Sequence, residues 1–270
     1  MTTIAGATRL FSRLLLGATT LLAAACAPQA VKQPQPMTLS FPFGTPPPGK
    51  FPGYRSLAKR VLPGYARLTI YEMSPGAGGS GSSDVQSRTV VVASAILIDR
   101  QGHLVTAAHI AKSKTLGAQV RLADGRTLEA VILDVSPSRE LALLRTTRPP
   151  GVTPALLGDS SALARREPVL AIGSPGLKAG VVSVGTVRIE KRHSRLQYGK
   201  YGFDHGIELN MEVESGDSGG PVFNAEGAVI GMIAGFLLGD TAKTPYVSPH
   251  IAFAVPVNAI SAYLAERRRR

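Results

Sequence analysis

The stretch Gly216-Asp217-Ser218-Gly219-Gly220-Pro221 combines residue types and spacing that point directly at covalent chemistry. It lies between apolar runs at 207–213 and 222–233, so it reads as a tight loop joining two strands. Such a loop can hold the Ser218 hydroxyl clear of the backbone and aim the N–H groups of Gly216 and Ser218 at one point. A nucleophile beside two such donors is what acyl transfer requires, because charge builds on the attacked carbonyl oxygen. A glycine-rich hairpin with an incidental serine is the competing reading. A hydroxyl is a weak nucleophile until a base takes its proton, and histidine suits that task near neutral pH. Of five histidines, His109 follows a strand-like run in Thr-Ala-Ala-His; His103 sits in the preceding turn, and His193, His205 and His250 fall in loops or at strand edges. The third participant should be a buried carboxylate that fixes the histidine tautomer and stabilises the imidazolium.

Short strands must position these groups. Apolar, β-branched runs occur at 66–73, 89–99, 119–122, 130–134 and 141–145, and a break at Pro149-Pro150-Gly151 separates them from a second set. That set comprises 169–172, 181–189, 206–213, 221–223, 229–233 and 250–255. With 29 glycines and 20 prolines to make turns, this is the pattern of an all-β barrel or sandwich. Residues 74–87 are low-complexity and read as a mobile loop, while 258–266 read as a C-terminal helix capped by Asn258. Hydrophobic content of 44% and charged content of 18% describe a globular chain, long enough at 270 residues for one large domain or two small ones. The net charge of +12 would suit nucleic acid, but the basic residues are scattered, tryptophan is absent and no binding motif accompanies them. No nucleic-acid partner, metal or cofactor is therefore expected.

The hexapeptide and the Thr-Ala-Ala-His109 run resemble the serine and histidine motifs of trypsin-like serine proteases. Leu157-Gly158-Asp159-Ser160-Ser161, Val169-Leu170-Ala171-Ile172-Gly173-Ser174-Pro175 and Ala252-Phe253-Ala254-Val255-Pro256 narrow the resemblance to the HtrA-like branch, over roughly residues 65–266. The resemblance implies two perpendicular six-stranded antiparallel β-barrels, about 65–147 and 152–257, with the active site in the cleft between them. It implies protein or peptide substrates. It also places the triad acid just ahead of Leu141-Ala142-Leu143-Leu144, where Glu140 stands instead of the usual aspartate. The extra methylene displaces the carboxylate by roughly 1.5 Å unless the backbone retreats, and Asp134 is the fallback. A serine endopeptidase with a Ser218–His109–Glu140 triad is the expected function. An impaired pseudoprotease serving as a binding or scaffold module is the alternative.

Three further expectations follow from the resemblance. No C-terminal PDZ domain is present to gate activity. Asp217 replaces the branch's usual asparagine and needs a partner, for which an arginine is the candidate. The strands around the nucleophile should wall the specificity pocket with Val213, Met232 and Ile233, giving a small apolar site for Val, Ala or Leu. In that reading strand alternation turns Glu212 and Glu214 away; Glu212 facing inward would select Arg or Lys instead.

At the N-terminus, residues 1–25 carry Arg9 and Arg13 ahead of an apolar run too short to span a bilayer, and end at Cys26, the only cysteine. This resembles a bacterial lipoprotein signal, with Ala23 where leucine is usual. It implies export, a lipid on Cys26 and no internal disulfide. Ala27 rather than aspartate after the cysteine implies the periplasmic face of an outer membrane in a diderm cell. Residues 26–54 are proline-rich and read as a tether, 55–266 as the protease domain, and 267–270 as a basic tail complementing the helix end.

Overall fold

The computed structural model describes residues 33–42, 51, 53–75, 85–112, 117–148, 151–189, 195–235 and 251–269. Along β1 (Tyr65–Pro75) the apolar Leu68 and Ile70 are fully buried and alternate with the partly exposed Arg67 and Thr69, as a strand with one core-facing side demands. It pairs with β2 (Val85–Leu97) in a long antiparallel hairpin from Tyr65↔Ile96 out to Pro75↔Val85. The expected loop at 74–87 is thus strand at both ends, because the ladder continues through its flanks; residues 76–84 lie outside the described residues.

Four more strands complete the first barrel: β3 (His103–Thr106), β4 (Gly117–Arg121), β5 (Thr127–Ser136) and β6 (Leu141–Thr146). They close in the order β1-β2-β3-β6-β5-β4. A one-turn helix, numbered below α2 because another precedes β1, follows β3 at Ala108–Ala111.

The second half carries β7 (Leu156–Leu157), β8 (Pro168–Gly173), β9 (Val181–Ile189), β10 (Leu196–Tyr198), β11 (Tyr201–Phe203) and β12 (Ile207–Asn210). It continues through β13 (Pro221–Phe223), β14 (Ala228–Gly235) and β15 (Ile251–Pro256). The sheet order β13-β8-β9-β12-β15-β14 closes through a β13–β14 pairing into a second six-stranded antiparallel barrel. The two-residue β7 rides parallel on β14, and β10 and β11 form a separate hairpin. Val169, Leu209, Val222 and Ile230 fill the second barrel's interior.

Further segments depart from the sequence reading. The tether is expected to end at 54 with no helix after it, yet α1 (Tyr54–Val61) forms there and buries Tyr54, Leu57, Ala58 and Val61. Within the expected tether, the Met37 N–H donates to Ala123 O (2.8 Å) in the first barrel, and the Ser40 N–H to Gly180 O (3.0 Å) in the second. Prolines keep this segment extended, and its free N–H groups then pair with loop carbonyls of both barrels. The C-terminal helix is α3 (Val257–Arg268), which buries Val257, Ile260, Tyr263 and Leu264. Asn258 is not its cap. Its Nδ2 donates to Asp159 (2.8 Å) and its Oδ1 accepts the Ser160 N–H (3.1 Å), because Pro256 already occupies the cap position. Among the described residues no helix is long and apolar enough to cross a membrane, and Cys26 lies outside them.

Candidate active site

His109 sits on α2, directly after β3, where Thr106 Oγ1 donates to Ser94 O of β2 (2.7 Å). His109 Nδ1 is hydrogen-bonded to Glu140 Oε1. A carboxylate only accepts, so Nδ1 carries the proton and Nε2 is left with a free lone pair. Glu140 is fully buried and follows a 3-10 turn at Pro137–Arg139. Its backbone is left-handed, at φ 56 and ψ 33, and its carbonyl accepts the Ala108 N–H (3.3 Å). With the backbone in this left-handed conformation, the Glu140 side chain reaches the imidazole. Asp134 goes elsewhere: it accepts from Tyr263 Oη (2.7 Å) and pairs with Arg267 (2.8 Å), both on α3.

The nucleophile loop belongs to the second barrel but is held by the first. The Ser94 N–H donates to Ser218 O (3.0 Å), and Ser94 Oγ to Gly216 O (2.8 Å). Within the loop, the N–H groups of Asp217, Gly219 and Gly220 donate to Glu214 O, Ile233 O and Asp217 O. Among the described residues, those of Gly216 and Ser218 donate to no protein acceptor. Alternation of spent and unspent donors around Ser218 is what an oxyanion site needs. Glycine is required at two positions here. Gly216 has φ +110, and a Cβ would lie 2.2 Å from Ser174 O; Gly219 has φ +87, and a Cβ would lie 2.1 Å from Ser94 O.

Asp217 has no arginine, since no ion pair to it forms among the described residues. The loop instead folds back on itself, so that Oδ2 accepts the Glu214 N–H (2.9 Å). Oδ1 packs so tightly on Gly173 that a Cβ there would lie 1.9 Å away. Burial pushes the Asp217 carboxyl up to about 6; the Glu214 N–H pulls it down, and the Glu214 charge adds to the rise. Beside it, fully buried Tyr65 of β1 donates to Gly173 O (3.0 Å), tying the two barrels behind the loop.

His109 and Ser218 open onto one cavity of about 290 Å³. Leu196, Phe203, Ala234 and Phe253 give it apolar walls, with Glu214 and Ser215 on the polar side. The residues expected to wall it are in the core: Val213 and Ile233 inside the second barrel, and Met232 fully buried in the larger cluster. Two local features explain the difference. β12 ends at Asn210, so strand alternation does not extend to 213, and the β14 register shifts between Ile233 and Gly235, turning Ala234 and Gly235 toward the cavity. Glu214, not Glu212, therefore faces it.

The β10–β11 hairpin escaped sequence reading. Tyr198 and Tyr201 flank a two-residue Gly199-Lys200 turn, with Gly199 at φ 55. A glycine-containing pair between aromatics is the available sequence signal. Both rings stand edge-on to His109, with centroids at 5.9 and 6.2 Å.

Residues 93–232 match the family model of the trypsin-like peptidase domain. The chain is 33% identical over 182 residues to the mitochondrial serine protease HTRA2 of Drosophila pseudoobscura pseudoobscura, covering 66% of this chain and 40% of that protein. It is 30% identical over 221 residues to serine protease HTR4 of Bos taurus, covering 82% and 42%. The chain thus spans about two fifths of the length of these relatives. Among solved structures, the HtrA-type protease AlgW with a decapeptide superposes with a TM-score of 0.62 at 22% identity, covering 77% of this chain and 66% of that one. At that identity the likeness concerns the fold.

Proposed function

The chain belongs to the trypsin-like peptidase family, and from that membership we propose that it is a serine endopeptidase working through Ser218, His109 and Glu140. One observation carries the reading: His109, bonded at Nδ1 to a fully buried carboxylate, shares a cavity with Ser218. Ser218 Oγ attacks the substrate carbonyl carbon while His109 Nε2 takes its proton. The resulting oxyanion rests on the N–H groups of Gly216 and Ser218. His109 then protonates the departing amine, leaving an acyl-enzyme, and water repeats the sequence to release the acid. Glu140 holds the Nδ1 proton and stabilises the imidazolium in each half.

Polypeptides are the substrates, in keeping with the HtrA serine proteases the chain resembles and with the decapeptide in the AlgW structure. The apolar walls of Leu196, Phe203, Ala234 and Phe253 favour Val, Ala or Leu before the scissile bond. Lipidation of Cys26 would tether the enzyme in the cell envelope, where clearing damaged proteins is a fitting task. Fluorophosphonate should label the wild-type protein at Ser218, label Ser218→Ala not at all and label His109→Ala far more slowly. Labelling that survives Ser218→Ala would refute the assignment, and a peptide-library digest cut mainly after Arg or Lys would refute the apolar pocket. Cys26→Ser should leave the membrane fraction; its recovery in a salt-washed membrane pellet would refute the anchor.

A further inference from the structure

Glu140 is fully buried and a carboxylate has two oxygens to satisfy, yet only Oε1 is engaged, by His109. Oε2 has no well-formed partner among the described residues. A buried, half-satisfied carboxylate is costly, and the orphaned oxygen points to a missing donor. Tyr198 is the group beside it. Its hydroxyl lies 3.3 Å from His109 Nδ1, and its ring meets the imidazole edge-on. Nδ1 spends its single proton on Glu140, so the phenol has no lone pair to address there. We propose that Tyr198 is a positioning residue of the triad, donating its hydroxyl proton to the Glu140 carboxylate and so fixing how much of that charge His109 feels. This rests on the Ser218–His109–Glu140 reading above.

The surroundings hold the phenol in that role. The hairpin that carries Tyr198 is anchored to the turn that carries Glu140: Arg195 donates to Ser138 O (2.6 Å) and pairs with Asp204 (3.2 Å) across the strands. Burial and then the Glu140 charge raise Tyr198 far above an ordinary phenol, so it remains a donor at every working pH. The other groups facing His109 are Tyr201, with Lys200 over its ring (5.4 Å), and Glu214 across the cavity. Glu214 only accepts, the Lys200 ammonium sits over the Tyr201 ring, and Tyr201 makes no hydrogen bond to His109 or Glu140 among the described residues, which leaves Tyr198 as the donor.

The test is the pH dependence of Ser218 labelling by a fluorophosphonate, which reports the Ser218–His109 pair without a known substrate. Tyr198→Phe keeps the ring and removes only the donor. More of the Glu140 charge then falls on His109, so the imidazolium persists to higher pH. The acid limb of the labelling rate should move up by about 0.5–1 pH and the plateau should fall by about tenfold. A ring that merely packs would leave the limb in place. A labelled wild type whose Tyr198→Phe variant keeps the wild-type limb overturns this proposal alone. Wild-type protein that is not labelled, or labelling that survives Ser218→Ala, overturns the triad reading and this one with it.

Discussion

Asp217 offers a measurement that isolates one group in the oxyanion loop. Its carboxyl is only 4% exposed and titrates near 6 rather than 3.8, chiefly because burial penalises the charge. A raised acid means that the folded state binds a proton more tightly than the unfolded chain between those two values. Stability is therefore fully present below about pH 4 and falls as pH rises through about 6. The gap of roughly two pH units, at 1.36 kcal/mol each, makes this carboxylate cost about 3 kcal/mol at pH 7. Asp217→Asn keeps the shape and an oxygen for the Glu214 N–H but cannot titrate. Where its Nδ2 finds an acceptor sets a constant offset between the two proteins; it does not set the pH dependence of their difference. Denaturation of both proteins from pH 4 to pH 8 should show wild type losing about 3 kcal/mol relative to Asp217→Asn, or about 6–12 °C in Tm for a domain of this size. Groups remote from the loop cancel in the difference, and Glu214, whose charge acts on Asp217, adds a smaller contribution. Parallel stability curves would refute the reasoning, and would mean that solvent or an unseen cation already reaches the carboxylate.

The other predictions concern the triad and its loop. Glu140→Gln should lose on the order of 10⁴-fold in rate, because the neutral amide favours the wrong histidine tautomer; Asp134→Asn, at the α3 contact, should leave the rate near wild type, and a reversed ranking would relocate the triad acid. Glu140→Asp should withdraw the carboxylate by roughly 1.5 Å, so stability should be kept while labelling slows about 100-fold. Gly219→Ala forces a Cβ onto Ser94 O and Thr106 Oγ1 at 2.1 and 2.2 Å, and should destabilise by about 2 kcal/mol or more and abolish labelling; wild-type labelling would refute the close approach.

The parts of this molecule that are legible from sequence are those whose pattern is local. Strand 181–189 announces itself by a β-branched run and strand 221–223 by a short apolar run after a turn, and both appear with those bounds. The Gly-Asp-Ser-Gly-Gly loop is legible because its backbone admits so few residue types. What escapes depends on register. Val213, Met232 and Ile233 read as pocket walls only if one strand runs past 213 and the other keeps its register to 235; the first ends at Asn210 and the second shifts between Ile233 and Gly235. Short-range composition also misleads in 34–41, where prolines suggest a free tether but the extended backbone bonds to both barrels.

Glu140 shows why a one-residue departure from a motif cannot be judged by side-chain length alone. Holding a non-glycine residue in the left-handed region costs of order 1–3 kcal/mol, and burying a carboxylate adds to that. Such a cost persists only where the surroundings over-determine the position. Here the 3-10 turn at Pro137–Arg139 fixes the approach, the Ala108 N–H fixes the carbonyl, and His109 fixes the head group. The left-handed backbone and the His109 contact are thus held together. On the proposed reading, a glutamate in the aspartate's place still meets His109, from a left-handed backbone position that its surroundings hold. The second oxygen is left for a donor that the usual, shorter acid would present differently, and the hairpin carrying Tyr198 stands where such a donor is needed.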